Sequence, residues 1–224
     1  MKRILCVGMM IGSVLMTHPS YAVTMYADHV TGLFRGDTTI GFSTGFSGFY
    51  GGTFPGAFPV TLTDPQARAA ALGAPDNNFV SLPGNEAVSP TAVGSPFKWA
   101  YVEVGFAGNF GTNMQLVITE LGDNAESAQL FIWTLDGGNV QRTITRGAAD
   151  TVLVDLSSYA GFVSAHGGAF NRVGIGGLDL GGDSPGFDLD AIGVTNVPEP
   201  SALILVGSGL VGLGWWRRMS GARR

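Results

Sequence analysis

The chain is poor in cysteine, histidine and cations, and each shortage excludes a class of function. One cysteine, Cys6, among 224 residues rules out a disulfide framework. Three histidines with that single cysteine give no recognisable zinc ligand set. Lys and Arg number 12 against 17 Asp and Glu, and the imbalance is concentrated in the middle. Residues 23–197 hold 16 acidic and 6 basic side chains, whereas residues 1–22 carry +2 and residues 198–224 carry +3. Arg35, Arg68, Lys98, Arg142, Arg146 and Arg172 are too few to neutralise a run of phosphates, so no nucleic-acid partner is expected. Apolar runs of 18 or more residues are also missing, and the two apolar stretches lie at the ends.

Those ends read as addresses. Lys2 and Arg3 precede an apolar stretch from Ile4 to Met16 and the small-residue site Ser20-Tyr21-Ala22. The pattern predicts a secretory signal peptide over residues 1–22, cut before Val23 by signal peptidase. The run is too short for a permanent anchor, and Cys6 lies too early for a lipoprotein site. At the other end, Pro198-Glu199-Pro200 precede an apolar run from Ser201 to Trp216, closed by Arg217, Arg218, Arg223 and Arg224. Sixteen helical residues rise roughly 24 Å, a little short of a ~30 Å hydrocarbon core. Trp215 and Trp216 would then lie at headgroup level with the arginines on the cytoplasmic side. Gly207, Gly209, Gly212 and Gly214 form a small-residue surface suited to contacts within the bilayer. A transmembrane tail anchor and a processed sorting signal are both open on this reading.

The tail over residues 197–224 resembles the PEP-CTERM sorting domain, on Pro198-Glu199-Pro200, the glycine-rich apolar helix 201–216 and the terminal arginines beginning at Arg217 and Arg218. The resemblance implies a Gram-negative exported protein, transiently anchored in the inner membrane. It further implies processing by an exosortase-type transpeptidase near the Pro-Glu-Pro motif, then release or attachment at the cell surface. Such proteins are often found where exopolysaccharide or biofilm is made.

Between the addresses, residues 23–196 are expected to form one all-β domain, an antiparallel β-sandwich of jelly-roll type. The Gly/Phe-rich stretch from Tyr26 to Phe58 shows no clear period and predicts an irregular loop laid over a sheet, with a flexible linker as the alternative. Asp64 to Leu72 predicts a short helix capped by Asp64, with Pro65 first and Gly73 ending it. From Phe79 onward, short alternating runs predict strands. In Phe97–Phe106, Ala100, Val102, Val104 and Phe106 face one way and Trp99, Tyr101 and Glu103 the other. Leu130 and Ile132 oppose Phe131, Trp133 and Leu135 in the run from Ala128, and Asp136-Gly137-Gly138-Asn139 predicts the following turn. Further strands are expected over 113–120, 140–145, 151–156, 172–175 and 188–194.

This body is similar to the jelly-roll domains of bacterial surface proteins, akin to galactose-binding-like carbohydrate modules, over residues 26–195. The similarity rests on Ala71-Leu72-Gly73-Ala74-Pro75-Asp76, Val80-Ser81-Leu82-Pro83-Gly84, Ile118-Thr119-Glu120-Leu121 and Phe187-Asp188-Leu189-Asp190-Ala191. Those domains usually carry a glycine pair after the Ser-Leu element, where this chain has Pro83-Gly84-Asn85.

Three constellations bear on chemistry. Gly41-Phe42-Ser43-Thr44-Gly45 spells a nucleophile elbow, yet no helix-forming segment follows and glycine is abundant enough for a chance match. His29 and His166 read as structural or exposed polar residues. Asp76, Glu120, Asp183, Asp188 and Asp190 are hard oxygen donors near glycine-rich loops, a candidate structural calcium site or simply solvated turns. The same carboxylates admit a secreted carbohydrate-active hydrolase as the alternative function. Trp99, Tyr101 and Trp133 could offer flat faces to sugar rings, although sandwich cores also bury tryptophan and the core reading is the leading one. The leading expectation is a non-enzymatic surface protein with a structural, adhesive or glycan-associated role, having extracellular polysaccharide as a partner.

Overall fold

The computed structural model describes residues 23–35, 49–56, 60–84, 100–122, 125–178 and 186–196. In chain order the elements are β1 (Thr24–Tyr26), β2 (His29–Arg35), β3 (Phe49–Thr53), β4 (Val60–Leu62), α1 (Asp64–Ala70), β5 (Asn78–Leu82) and β6 (Ala100–Phe110). They continue with β7 (Met114–Glu120), β8 (Ser127–Thr134), β9 (Asn139–Thr145), β10 (Thr151–Asp155), α2 (Ala160–Ala165), β11 (Phe170–Gly177) and β12 (Phe187–Asn196). A single 3-10 turn, Ser157–Tyr159, leads into α2.

Two antiparallel sheets face each other, the all-β sandwich expected from the strand pattern. One runs β10-β7-β12-β5-β3-β4 with β1 added to β12, and the other runs β2-β6-β11-β8-β9. Alternation explains which side chains lie between them. Ala100, Val102, Val104 and Phe106 of β6, Leu116 and Ile118 of β7, and Leu130 and Ile132 of β8 all enter one core with Val173, Ile175, Ile192 and Val194. Burying this apolar area is the main favourable term for a chain with little helix.

The β8–β9 hairpin turns where Asp136-Gly137-Gly138-Asn139 predicts it. Gly137 takes φ +89°, and Asp136 Oδ1 accepts hydrogen bonds from Gly138 N–H at 3.0 Å and Thr134 Oγ1 at 2.8 Å. The helix over 64–70 also forms, but its cap is Thr63 rather than Asp64. Gln66 Oε1 reaches back to accept from the Thr63 N–H at 2.9 Å, half of a capping box that shifts the start by one residue.

The glycine-rich stretch departs from expectation. Within Tyr26–Phe58, β2 and β3 are regular strands rather than parts of a loop. In β2 a register shift between Val30 and Gly32 breaks the alternation that would have marked it. In β3 the glycines are there for close approach: a Cβ on Gly51 would lie 2.0 Å from the Phe79 carbonyl oxygen. The segment from Ala160 to Ala165 is a second short helix that the strand pattern did not announce.

β12 has two successive neighbours on one flank. Phe187 to Leu189 pair with Leu82 to Val80 of β5, and Gly193 to Thr195 pair with Tyr26 to Thr24 of β1. Asp190 is the extra residue at the changeover, where the register with β7 shifts between Leu189 and Ala191. No helix among the described residues is long and apolar enough to cross a membrane. The apolar run 201–216 expected to do so lies outside them.

Candidate functional site

The end of the sandwich that carries the start of β12 gathers carboxylates. Glu120 closes β7 in register with Leu189, and Asp188 stands opposite Ser81 of β5. The connection after β9 brings Arg146 onto Glu120: its Nε pairs with Oε2 inside the protein, with side-chain exposures of 6% and 0%. Arg146 Nη1 also donates to Asp150 Oδ1 at 2.8 Å, and Glu120 N–H donates to the Asp150 carbonyl at 2.9 Å. Ser81 Oγ donates to Asp188 Oδ1. A Cβ on Gly122 would lie 3.8 Å from Asp188 Oδ2 and 3.9 Å from Glu120 Oε1, so both carboxylates border that glycine. Glu120 Oε1 is buried with no hydrogen-bond partner among the described residues.

Burial dominates the electrostatics here. It pushes the Glu120 carboxyl from 4.5 up to about 8, with the Arg146 charge pulling it down and Asp188 adding to the rise. The buried acid and the buried guanidinium each lose hydration, and their mutual contact offsets part of the loss.

Asp190 lies in a second, separate arrangement. At the β12 bulge its Oδ1 and Oδ2 accept from the backbone N–H groups of Asp76 at 3.2 Å and Asn77 at 3.3 Å. Burial raises its pKa to about 6, opposed by these two N–H donors and reinforced by the Asp76 charge. Asp76 in turn accepts from Asn78 N–H at 2.9 Å and from Asn78 Nδ2 at 3.0 Å. Asp76 and Asn78 line a cleft of about 380 Å³ with Thr53, Leu62, Gln66 and Phe79.

The structure therefore divides the candidate calcium ligands. Asp76 goes with Asp190 and Glu120 goes with Asp188, while Asp183 lies outside the described residues. Among the described residues no group of three or more His, Cys, Asp or Glu is arranged to hold a metal ion. Beside Glu120 the cation is Arg146. The spacing of the acidic residues does not single out Arg146. The signal in the sequence is the scarcity of cations: in so acidic a body, burying an arginine at a strand end requires a carboxylate partner.

The aromatic candidates come together on the outer face of the second sheet. Tyr101 and Trp133 approach edge to face with centroids 6.4 Å apart, and Phe131 stacks on Trp133 at 5.7 Å and 21°. Arg172 lies 5.3 Å from the Trp133 centroid and donates to Glu103 Oε1 at 2.6 Å. Glu103 also accepts from Thr31 at 2.7 Å and from Tyr101 Oη at 3.1 Å. Burial, first, and the Glu103 charge raise the Tyr101 hydroxyl pKa. Tyr101 is only 2% exposed, so its ring serves packing. Trp99 lies outside the described residues.

His29 contacts its neighbour Asp28, and His166 contacts Asp136 at 3.1 Å and packs on Phe162. Gly41, Ser43 and Gly45 lie outside the described residues, as do Pro198, Glu199, Pro200, Arg217 and Arg218. No curated protein matches the chain. Residues 196–218 match the PEP-CTERM protein-sorting motif, starting on the last residue of β12. The match supports an exported protein of the Gram-negative cell envelope, processed by an exosortase as its transpeptidase-type partner.

Proposed function

We propose that the protein is a non-enzymatic surface component, carried out of the cytoplasm by its signal peptide and sorted through its tail. In this reading residues 23–197 are the working unit, with a structural, adhesive or glycan-associated role in exopolysaccharide or biofilm. The match at residues 196–218 carries the sorting half of the reading. The non-enzymatic half draws on the carboxylates: Glu120 is engaged by Arg146, Asp188 by Ser81 and Asp190 by two backbone N–H groups. General acid and base work needs carboxyl groups that reach a substrate, and these are turned inward.

The test is the intact mass of the mature protein from envelope and medium, in strains with and without the exosortase. The expected species begins at Val23 and ends near Val197, and is missing without the enzyme. A chain ending at Arg224 in both strains would overturn sorting in favour of a membrane anchor. Hydrolysis of a polysaccharide by the purified protein, abolished in Asp190→Asn with folding retained, would instead favour the carbohydrate-active hydrolase.

A further inference from the structure

The strand that leads into the sorting motif is held on both flanks up to its end. Thr195 stands opposite Thr24 of β1 on one side and Gln115 of β7 on the other, and Asn196 still pairs with Met114. One step upstream, Val194 is fully buried in the core. In the sequence only Val197 separates Asn196 from Pro198. An enzyme acting on a peptide bond takes its substrate as unpaired chain, and a strand inside a sheet reaches that state only by local opening. Opening past Thr195 would draw Val194 out of the core, so the chain that can be freed ahead of the motif is very short.

The two flanks are unequal. β7 holds β12 through seven register pairs and β1 through three, and every β1 residue is only partly buried. Thr195 Oγ1 is also buried without a hydrogen-bond partner among the described residues, a weak point at the last residue held on both sides. The β1–β12 seam at Thr24 and Thr195 is thus the weaker of the two flanks that must both release before the end of β12 is free.

We infer that the folded body regulates its own sorting: release of the end of β12 from β1 and β7 limits the rate at which the exosortase engages the motif. This rests on the reading that the tail is an exosortase substrate. It adds that the body, rather than the motif alone, sets the rate.

The experiment follows conversion of the full chain to its processed form by pulse-chase and intact mass, in strains with and without the exosortase. Three versions are compared: the natural chain, one with a spacer of about ten Gly and Ser residues inserted between Asn196 and Val197, and Thr195→Val. The spacer leaves every strand pair intact and is expected to speed conversion several-fold. Thr195→Val removes the orphan hydroxyl at nearly constant shape and is expected to slow it. Equal rates for all three in the exosortase strain would overturn the inference while leaving sorting intact. No conversion of any version in either strain would overturn the sorting reading and the inference with it.

Discussion

Arg146 meets Glu120 where neither reaches solvent, and the carboxylate keeps one oxygen, Oε1, without a hydrogen-bond partner among the described residues. The pair ties the connection after β9 to the end of β7, and Asp188 of β12 adds negative charge beside it. Its ionisation therefore couples proton uptake to folding.

In the folded protein the Glu120 pKa is raised to about 8 from 4.5, so between those values the folded state holds a proton that the unfolded chain releases. Its effect on stability is an increasing penalty as pH rises from 4.5 to 8, constant above. Asp190, raised to about 6 from 3.8, acts the same way at lower pH. Melting temperatures between pH 6.5 and 9 isolate Glu120: the natural protein loses stability up to about pH 8, and Glu120→Gln flattens that slope. An unchanged slope in the variant would refute the assignment.

Arg146→Met strips from Glu120 the counter-charge that contacts it among the described residues. Above about pH 8, where Glu120 is ionised, loss of one partner of a buried ion pair costs about 3 kcal/mol. Urea unfolding should show a loss of that order, with Glu120→Gln in the same chain recovering part of it. If the single and double variants are equally unstable, Arg146 acts through packing rather than through Glu120.

Asp190→Ala leaves the N–H groups of Asp76 and Asn77 without their acceptor, at a cost of about 2 kcal/mol. Asn77 has φ +67°, so its loop already adopts an uncommon conformation that the carboxylate supports. Hydrogen exchange should quicken first at residues 76 and 77, while the β6–β11 ladder keeps its protection. Uniform acceleration across both sheets would contradict this local role.

Arg172→Ala removes the contact with Glu103 and the guanidinium beside Trp133 together. Because Arg172 is about one-third exposed, with 35% side-chain exposure, the expected loss is modest, about 1 kcal/mol. The effect should shrink in high salt, leaving the cation–π part. A loss above about 3 kcal/mol would mean that Arg172 anchors the aromatic face rather than resting on it.

The strands that were legible in the sequence are those whose two faces meet different surroundings. Ala100, Val102, Val104 and Phe106 face the core while Tyr101 and Glu103 face outward, and that contrast is written as alternation. β2 and β3 hid because a bulge near Thr31 interrupts one pattern and close backbone approach at Gly51 demands glycine in the other. Locating the acidic residues was possible from the chain, but grouping them was not. Asp188 and Asp190 are two residues apart, yet one joins Ser81 and the other Asp76, because the bulge at Asp190 shifts the strand between them.

That bulge also works like a reading frame. Before Asp190, Phe187 and Leu189 point to the core; after it, Ile192 and Val194 do, although their positions have the opposite parity. The extra residue is what lets two short pieces from distant parts of the chain share one flank of β12 without misdirecting either set of side chains. Deleting Asp190 would leave residues 187–189 correctly faced against β5 but turn Ile192 and Val194 outward, or the reverse. One missing residue would thus cut the central strand into halves that could no longer be satisfied together.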